Sequence, residues 1–208
     1  MNGSRNERDE KERPEAVWGS VGSVSSKATE VVTSHNRIYF YTDVNNKNIM
    51  ELNKQVNDLD VKNVSQGLTL GVDPAPIRVH INSGGGSIMA GIAGMDNLRR
   101  AMSPTESTID GFCASAATFL SIAADTRTMT EHSFMLIHQL SASFWGTYAN
   151  FKDEKENLDL MMRQIEHIYN RYTKVPKKEL MKILKHDLMW DSSKCLKMGL
   201  VDEITQEK

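Results

Sequence analysis

Ile77-Arg78-Val79-His80-Ile81-Asn82-Ser83-Gly84-Gly85-Gly86 alternates apolar and polar side chains, then runs into three glycines. Alternation at period two marks a strand with one apolar face. Glycines at its end allow positive φ and close backbone approach, as a strand-to-helix turn at a binding site requires. Residues 87–102 follow with Ile88, Ile92, Met95 and Leu98 at helical spacing. Further on, 107–112 reads as a strand, 114–124 as a helix of small and apolar residues, and 134–137 as a strand ending at His138. Strand, helix, strand, helix, strand predicts an α/β fold with a mostly parallel sheet covered by helices.

Upstream, Ile38-Tyr39-Phe40-Tyr41 has the β-branched and aromatic content of a short strand. Ile49, Leu52, Val56 and Leu59 then recur at helical spacing. Residues 62–76 contain Gly67, Gly71, Pro74 and Pro76, and are expected to form a loop. Downstream, 151–172 is the longest helical stretch. Leu158, Met161, Met162, Ile165, Ile168, Tyr169 and Tyr172 form a broad apolar stripe, suited to packing on the domain or on another subunit. Residues 1–35 are different material: 1–15 are dominated by charged and polar residues, and 19–26 are rich in Ser and Gly. Such a segment buries little apolar surface and is expected to be flexible, with the folded domain over 36–208.

A chain of 208 residues suits one domain with a tail and can bury a real core. Its net charge of -2 and dispersed basic residues argue against nucleic-acid binding. Cys113 and Cys195 offer no disulfide framework and no CxxC zinc site, so neither metal nor cofactor is expected. Reduced thiols fit a cytosolic setting. No signal-peptide core and no membrane-spanning apolar run is visible, so no membrane partner is expected.

Three segments carry the chemistry. Ser115 follows a predicted strand and opens a predicted helix, flanked by Ala114, Ala116 and Ala117, which leave room for a substrate backbone. A helix N-terminus there supplies free N–H groups and partial positive charge. An ordinary N-cap serine has the same local pattern. Gly84-Gly85-Gly86 reads as a plain turn, or as an amide aimed at an oxyanion; a phosphate cradle lacks its Gly-Lys-Ser/Thr. His138, at a strand end, can take a proton from Ser115. The other histidines, at 35, 80, 132, 167 and 186, are read as structural or surface. A carboxylate must orient the imidazole, and Asp187, Asp191 and Asp202 compete for that place. The order Ser, His, Asp, without Gly-x-Ser-x-Gly, differs from the α/β-hydrolases. The set points to nucleophilic acyl chemistry, most simply peptide hydrolysis.

With these residues in place, the chain from Arg37 to Ile204 resembles the proteolytic subunit of the Clp protease, the ClpP-like serine peptidases. Asn82 to Gly86 is similar to the family's Asn-Ser-x-Gly-Gly loop. Gly111 to Ala116 is similar to its nucleophile segment, and Leu136 to Gln139 to its Met-Ile-His-Gln strand end. Asp187, Trp190 and Gly199 to Asp202 are similar to its terminal block. The resemblance implies a crotonase-like fold with a protruding handle near 140–175. It implies Ser115 as nucleophile, His138 as base and Asp187 as orienting acid, with the amides of Gly86 and Ala116 as oxyanion donors. It also implies homo-oligomerisation as heptameric rings stacked into a tetradecamer, polypeptide substrates delivered by an AAA+ unfoldase, and a location in a bacterial cytoplasm, a phage-infected cell or a plastid stroma.

The chain departs from the family in three places. Leu140 stands where proline usually follows His-Gln, and no glycine-bearing strand follows it. His186 replaces an arginine. Arg78 and His80 stand where the family lines an apolar docking groove, which predicts altered docking to the unfoldase. Two other readings compete: a catalytically silent scaffold or regulatory subunit, and a crotonase-type acyl-CoA enzyme, which needs no Ser-His-Asp set.

Overall fold

A computed structural model describes residues 31–205; the polar segment at residues 1–30 lies outside them. In chain order the strands are β1 (Val32–Ser34), β2 (Arg37–Phe40), β3 (Ile77–Ser83), β4 (Thr105–Ala114), β5 (Thr126–Thr130), β6 (Phe134–Leu136), β7 (Trp190–Asp191) and β8 (Glu203–Thr205). The helices are α1 (Asn46–Leu70), α2 (Ile88–Leu98), α3 (Ala117–Ala123), α4 (Tyr148–Tyr172), α5 (Lys177–Leu184) and α6 (Ser192–Lys197). The main path of the sheet runs β1-β2-β3-β4-β5-β8. β2, β3, β4, β5 and β8 are parallel, and β1 adds an antiparallel edge upstream of the expected start of the domain.

Alternation along the strands decides which face is covered. Ile38, Phe40, Ile77, Val79, Ile81 and Ile109 are buried with Leu52 and Val56 of α1, Met95 and Leu98 of α2, and Phe119 and Leu120 of α3. The intervening Tyr39, Arg78, His80, Glu106, Thr108 and Asp110 are only half-buried, on the opposite face. There Arg78 Nε donates to Glu106 at 2.6 Å, and His80 Nδ1 lies 2.8 Å from Asp110 Oδ2 with its ring stacked on Tyr39.

Residues 62–76 are not the expected loop, because α1 continues to Leu70. Gly67 is in the helix for close approach: a Cβ there would come within 2.8 Å of Val72 O. The real stop is Gly71, whose φ of 68° makes the left-handed cap and whose N–H donates to Gly67 O. β5, β8, α5 and α6 were not foreseen. β5 reads Thr-Arg-Thr-Met-Thr and buries only Met129, so it carries little apolar signal.

α4 starts at a capping box formed by Thr147 and Asn150. Only its second half is rooted, through Ile165, Ile168 and Tyr169. Its first half leaves Tyr148, Phe151 and Leu160 exposed, and Trp145 just before it is 98% exposed. No helix of the described residues is long and apolar enough to cross a membrane.

Candidate active site

The site begins with a kink in β4. Ile81 pairs with Ile109, but Ser83 pairs with Cys113, so β4 carries extra residues between those points. Gly111 takes up the irregularity at φ 88°, close against the Asn82 side chain. The kink divides β4: its first half pairs with β5, and Phe112 to Ala114 pair with Phe134 to Leu136 of β6. Ser115 is the first residue after β4, and His138 lies two beyond the end of β6.

Ser115 has φ 54°, a left-handed conformation that costs a non-glycine residue about 1–3 kcal/mol unless its surroundings enforce it. Those surroundings are specific. Its N–H donates to Leu136 O at 2.9 Å, tying it to the strand that carries His138. Its carbonyl accepts from Thr118 N at 3.0 Å and from Thr118 Oγ1 at 2.7 Å. The turn is therefore not an ordinary cap: the N-cap of α3 is Ala116, with no side-chain capping bond. Sequence reasoning missed this elbow because Cys113 and Ala117 stand where glycines mark the better-known version.

The glycine loop abuts the elbow. A Cβ on Gly85 would lie 2.6 Å from both Ala114 O and Ser115 Cβ, and one on Gly86 would overlap Val44 O. The loop is pinned from behind, with Val44 N–H donating to Gly85 O at 2.8 Å and Ser87 N–H to Val44 O at 2.7 Å. The Gly86 and Ala116 amides donate to no other group among the described residues.

The three competing carboxylates separate cleanly. β6 and β7 pair antiparallel, Met135 opposite Trp190. Extending that register by three residues sets Asp187 opposite His138, and His138 Nδ1 lies 2.8 Å from Asp187 Oδ1. An ionised carboxylate only accepts, so the Nδ1–H is the donor and Nε2 is left for the serine side. Asp191 instead caps α6, accepting from Lys194 N at 2.8 Å. Asp202 pairs with Arg127, whose hydrogen bond holds its carboxyl below the usual range. Side-chain exposure is 26% at His138 and 55% at Asp187. Among the described residues, no hydrogen bond joins Ser115 Oγ to His138. The other nearby nucleophiles are inert: burial pushes the Cys113 thiol well up and the Cys195 thiol up to about 12. No group of three or more His, Cys, Asp or Glu side chains among the described residues could hold a metal ion.

This chain belongs to the Clp protease family, whose model matches residues 32–208. It is similar to an ATP-dependent Clp protease proteolytic subunit of Deinococcus radiodurans, 27% identical over 133 residues, which are 63% of this chain and 65% of that protein, just under two-thirds of its length. It is similar to proteolytic subunit 3 of Streptomyces coelicolor, 29% identical over 163 residues, covering 76% of this chain and 75% of that one. Proteolytic subunit 1 of Chlamydia caviae matches at 25% over 190 residues, 89% and 95% of the two chains. A solved ClpP1 variant from Listeria monocytogenes superposes with a TM-score of 0.71 at 20% identity, covering 83% of this chain and 92% of that one. The fold is the ClpP fold, in a divergent member of the family.

Proposed function

We propose that this chain is a serine endopeptidase of the Clp type, acting on unfolded polypeptides. Ser115 Oγ attacks the scissile carbonyl and passes its proton to His138 Nε2, with that hydrogen bond closing in the substrate complex. Asp187 holds the Nδ1–H tautomer and stabilises the imidazolium. The tetrahedral oxyanion is received by the Gly86 and Ala116 N–H groups; one such donor is typically worth about 10²–10³ in kcat. The imidazolium protonates the leaving amine, and water activated by His138 releases the acyl-enzyme.

One observation carries this reading: a left-handed serine turn bonded to the strand that presents a His–Asp pair, with two unspent amides beside it. A silent scaffold remains the second reading because Ser115 Oγ and His138 are not hydrogen-bonded. Intact-mass analysis after fluorophosphonate treatment separates the two. One adduct per chain, absent in Ser115→Ala, is expected; no adduct on the assembled wild type leaves the scaffold.

Assembly into stacked heptameric rings is part of the proposal. The exposed aromatic run at Phe144, Trp145, Tyr148 and Phe151 supports burial of the first half of α4 against another copy. Altered docking of an AAA+ unfoldase is supported by the polar pairs Arg78–Glu106 and His80–Asp110 on the open sheet face. The cytoplasm or a plastid stroma is the proposed location.

A further inference from the structure

Thr118 is fully buried in the first turn of α3, and Tyr169 is 1% exposed in the rooted half of α4. Their hydroxyl oxygens are 2.7 Å apart, across 51 residues of chain. Thr118 Oγ1 also lies 2.7 Å from Ser115 O. A carbonyl accepts and cannot donate, and a threonine hydroxyl has one proton. The Thr118 O–H is therefore committed to Ser115 O, and the Tyr169 O–H must donate to Thr118 Oγ1. Burial raises the Tyr169 phenol pKa well above its ordinary range, so it stays a donor throughout the working pH range.

A threonine that bonds back to the carbonyl one turn earlier is common in helices and needs no function. Two features take this one further. Its partner comes from a different helix, and among the described residues the Tyr169 hydroxyl has no other hydrogen bond. The carbonyl it holds belongs to the strained residue, and the same rigid peptide plane carries the Ala116 N–H. With Thr118 N–H as a second donor to Ser115 O, the plane cannot rotate, and the Ala116 N–H is fixed on the opposite side.

We infer that Thr118 and Tyr169 are positioning residues, a buried hydroxyl relay from α4 that clamps the Ser115–Ala116 peptide and aims the Ala116 amide at the oxyanion. The inference rests on the reading of Ser115 as nucleophile. Neither side chain touches substrate, so its effect falls on the transition state and not on ground-state binding.

The test uses the full chain in its assembled state, with a fluorogenic peptide and a fluorophosphonate, and Tm as the control for folding. Thr118→Val is expected to lower kcat about 10-fold or more with KM within about 2-fold. Thr118→Ser, which keeps the hydroxyl, is expected to return kcat to within about 3-fold of wild type. Tyr169→Phe, which preserves the packing on Phe119, is expected to fall between them and decides the matter if Thr118→Val does not fold. Wild-type kcat in folded Tyr169→Phe and Thr118→Val overturns the inference. So does an equal loss in Thr118→Ser, which assigns the threonine to packing alone. A wild-type chain that takes no fluorophosphonate removes the nucleophile reading itself, a failure visible before any variant is compared.

Discussion

Ser115 and His138 are neighbours across one pair of strands, yet the molecule holds them in opposite ways. The serine turn is enclosed by core: Ala114, Ala116, Ala117, Thr118 and Phe119 are all buried, and both backbone groups of Ser115 are hydrogen-bonded. His138 and Asp187 are partly open to solvent, and the chain after His138, residues 139–147, has no regular structure. The Gln139 N–H bond to Leu184 O at 2.7 Å is the main backbone tie there. The contrast teaches that the strained half of the site is enforced by packing from within. The base half hangs on a short edge pairing.

The comparison breaks most directly at the serine. Ser115→Gly is expected to lower turnover by about 10⁴-fold or more, while Tm stays level or rises because glycine takes φ 54° without strain. A fall in Tm would mean that the side chain, and not the backbone frame, holds the turn. Asp187→Asn is the counterpart on the open side. kcat is expected to drop about 10³–10⁴-fold, with Tm nearly unchanged for a side chain 55% exposed; thermal melts beside peptide turnover check both.

Gly85→Ala sharpens the picture of the enclosed half. The added methyl meets the backbone at Ala114 O, which cannot swing away, and φ is 96°. A loss of about 2–4 kcal/mol in denaturant unfolding is expected, along with loss of fluorophosphonate labelling. The smallest effect is at the root of α4, where Arg127 joins Asp202 to Tyr172 O and Gly199 O. The Arg127 hydrogen bond depresses the folded pKa of Asp202, so its contribution is present above the unfolded carboxylate value and lost as pH falls through the folded one. Asp202→Asn is expected to cost no more than about 1 kcal/mol at pH 7 and less at a pH of about 3. An equal Tm difference at both pH values would remove the ion pair from the account.

Much of the architecture was legible because it is local. Period two in 77–83 and period 3.6 in 88–98 and 165–172 declare which side of each element is apolar. The α1 extension was misread because glycine has two uses, breaking a helix and letting one approach another segment. Only packing distinguishes Gly67 from Gly71. β5 was missed because its burial is supplied by neighbours: Thr128 Oγ1 bonds to Ser107 O, and only Met129 faces the core. In the site, the identities of serine, glycine loop and histidine were legible. The carboxylate nearest His138 was left open by the residues themselves and assigned only by resemblance.

The sequence by itself determined the chemical inventory and its order along the chain: a hydroxyl among small residues, a glycine loop after a strand, an imidazole at a strand end, and three late carboxylates. Those are properties of neighbouring residues, and local periodicity and composition carry them. Tertiary structure alone decided which carboxylate meets His138, that Ser115 is left-handed, and that a tyrosine 54 residues away is linked to it through Thr118. Each of these depends on the register between strands or the docking of one helix on another. Such pairings join residues far apart in the chain, so no window of sequence contains them.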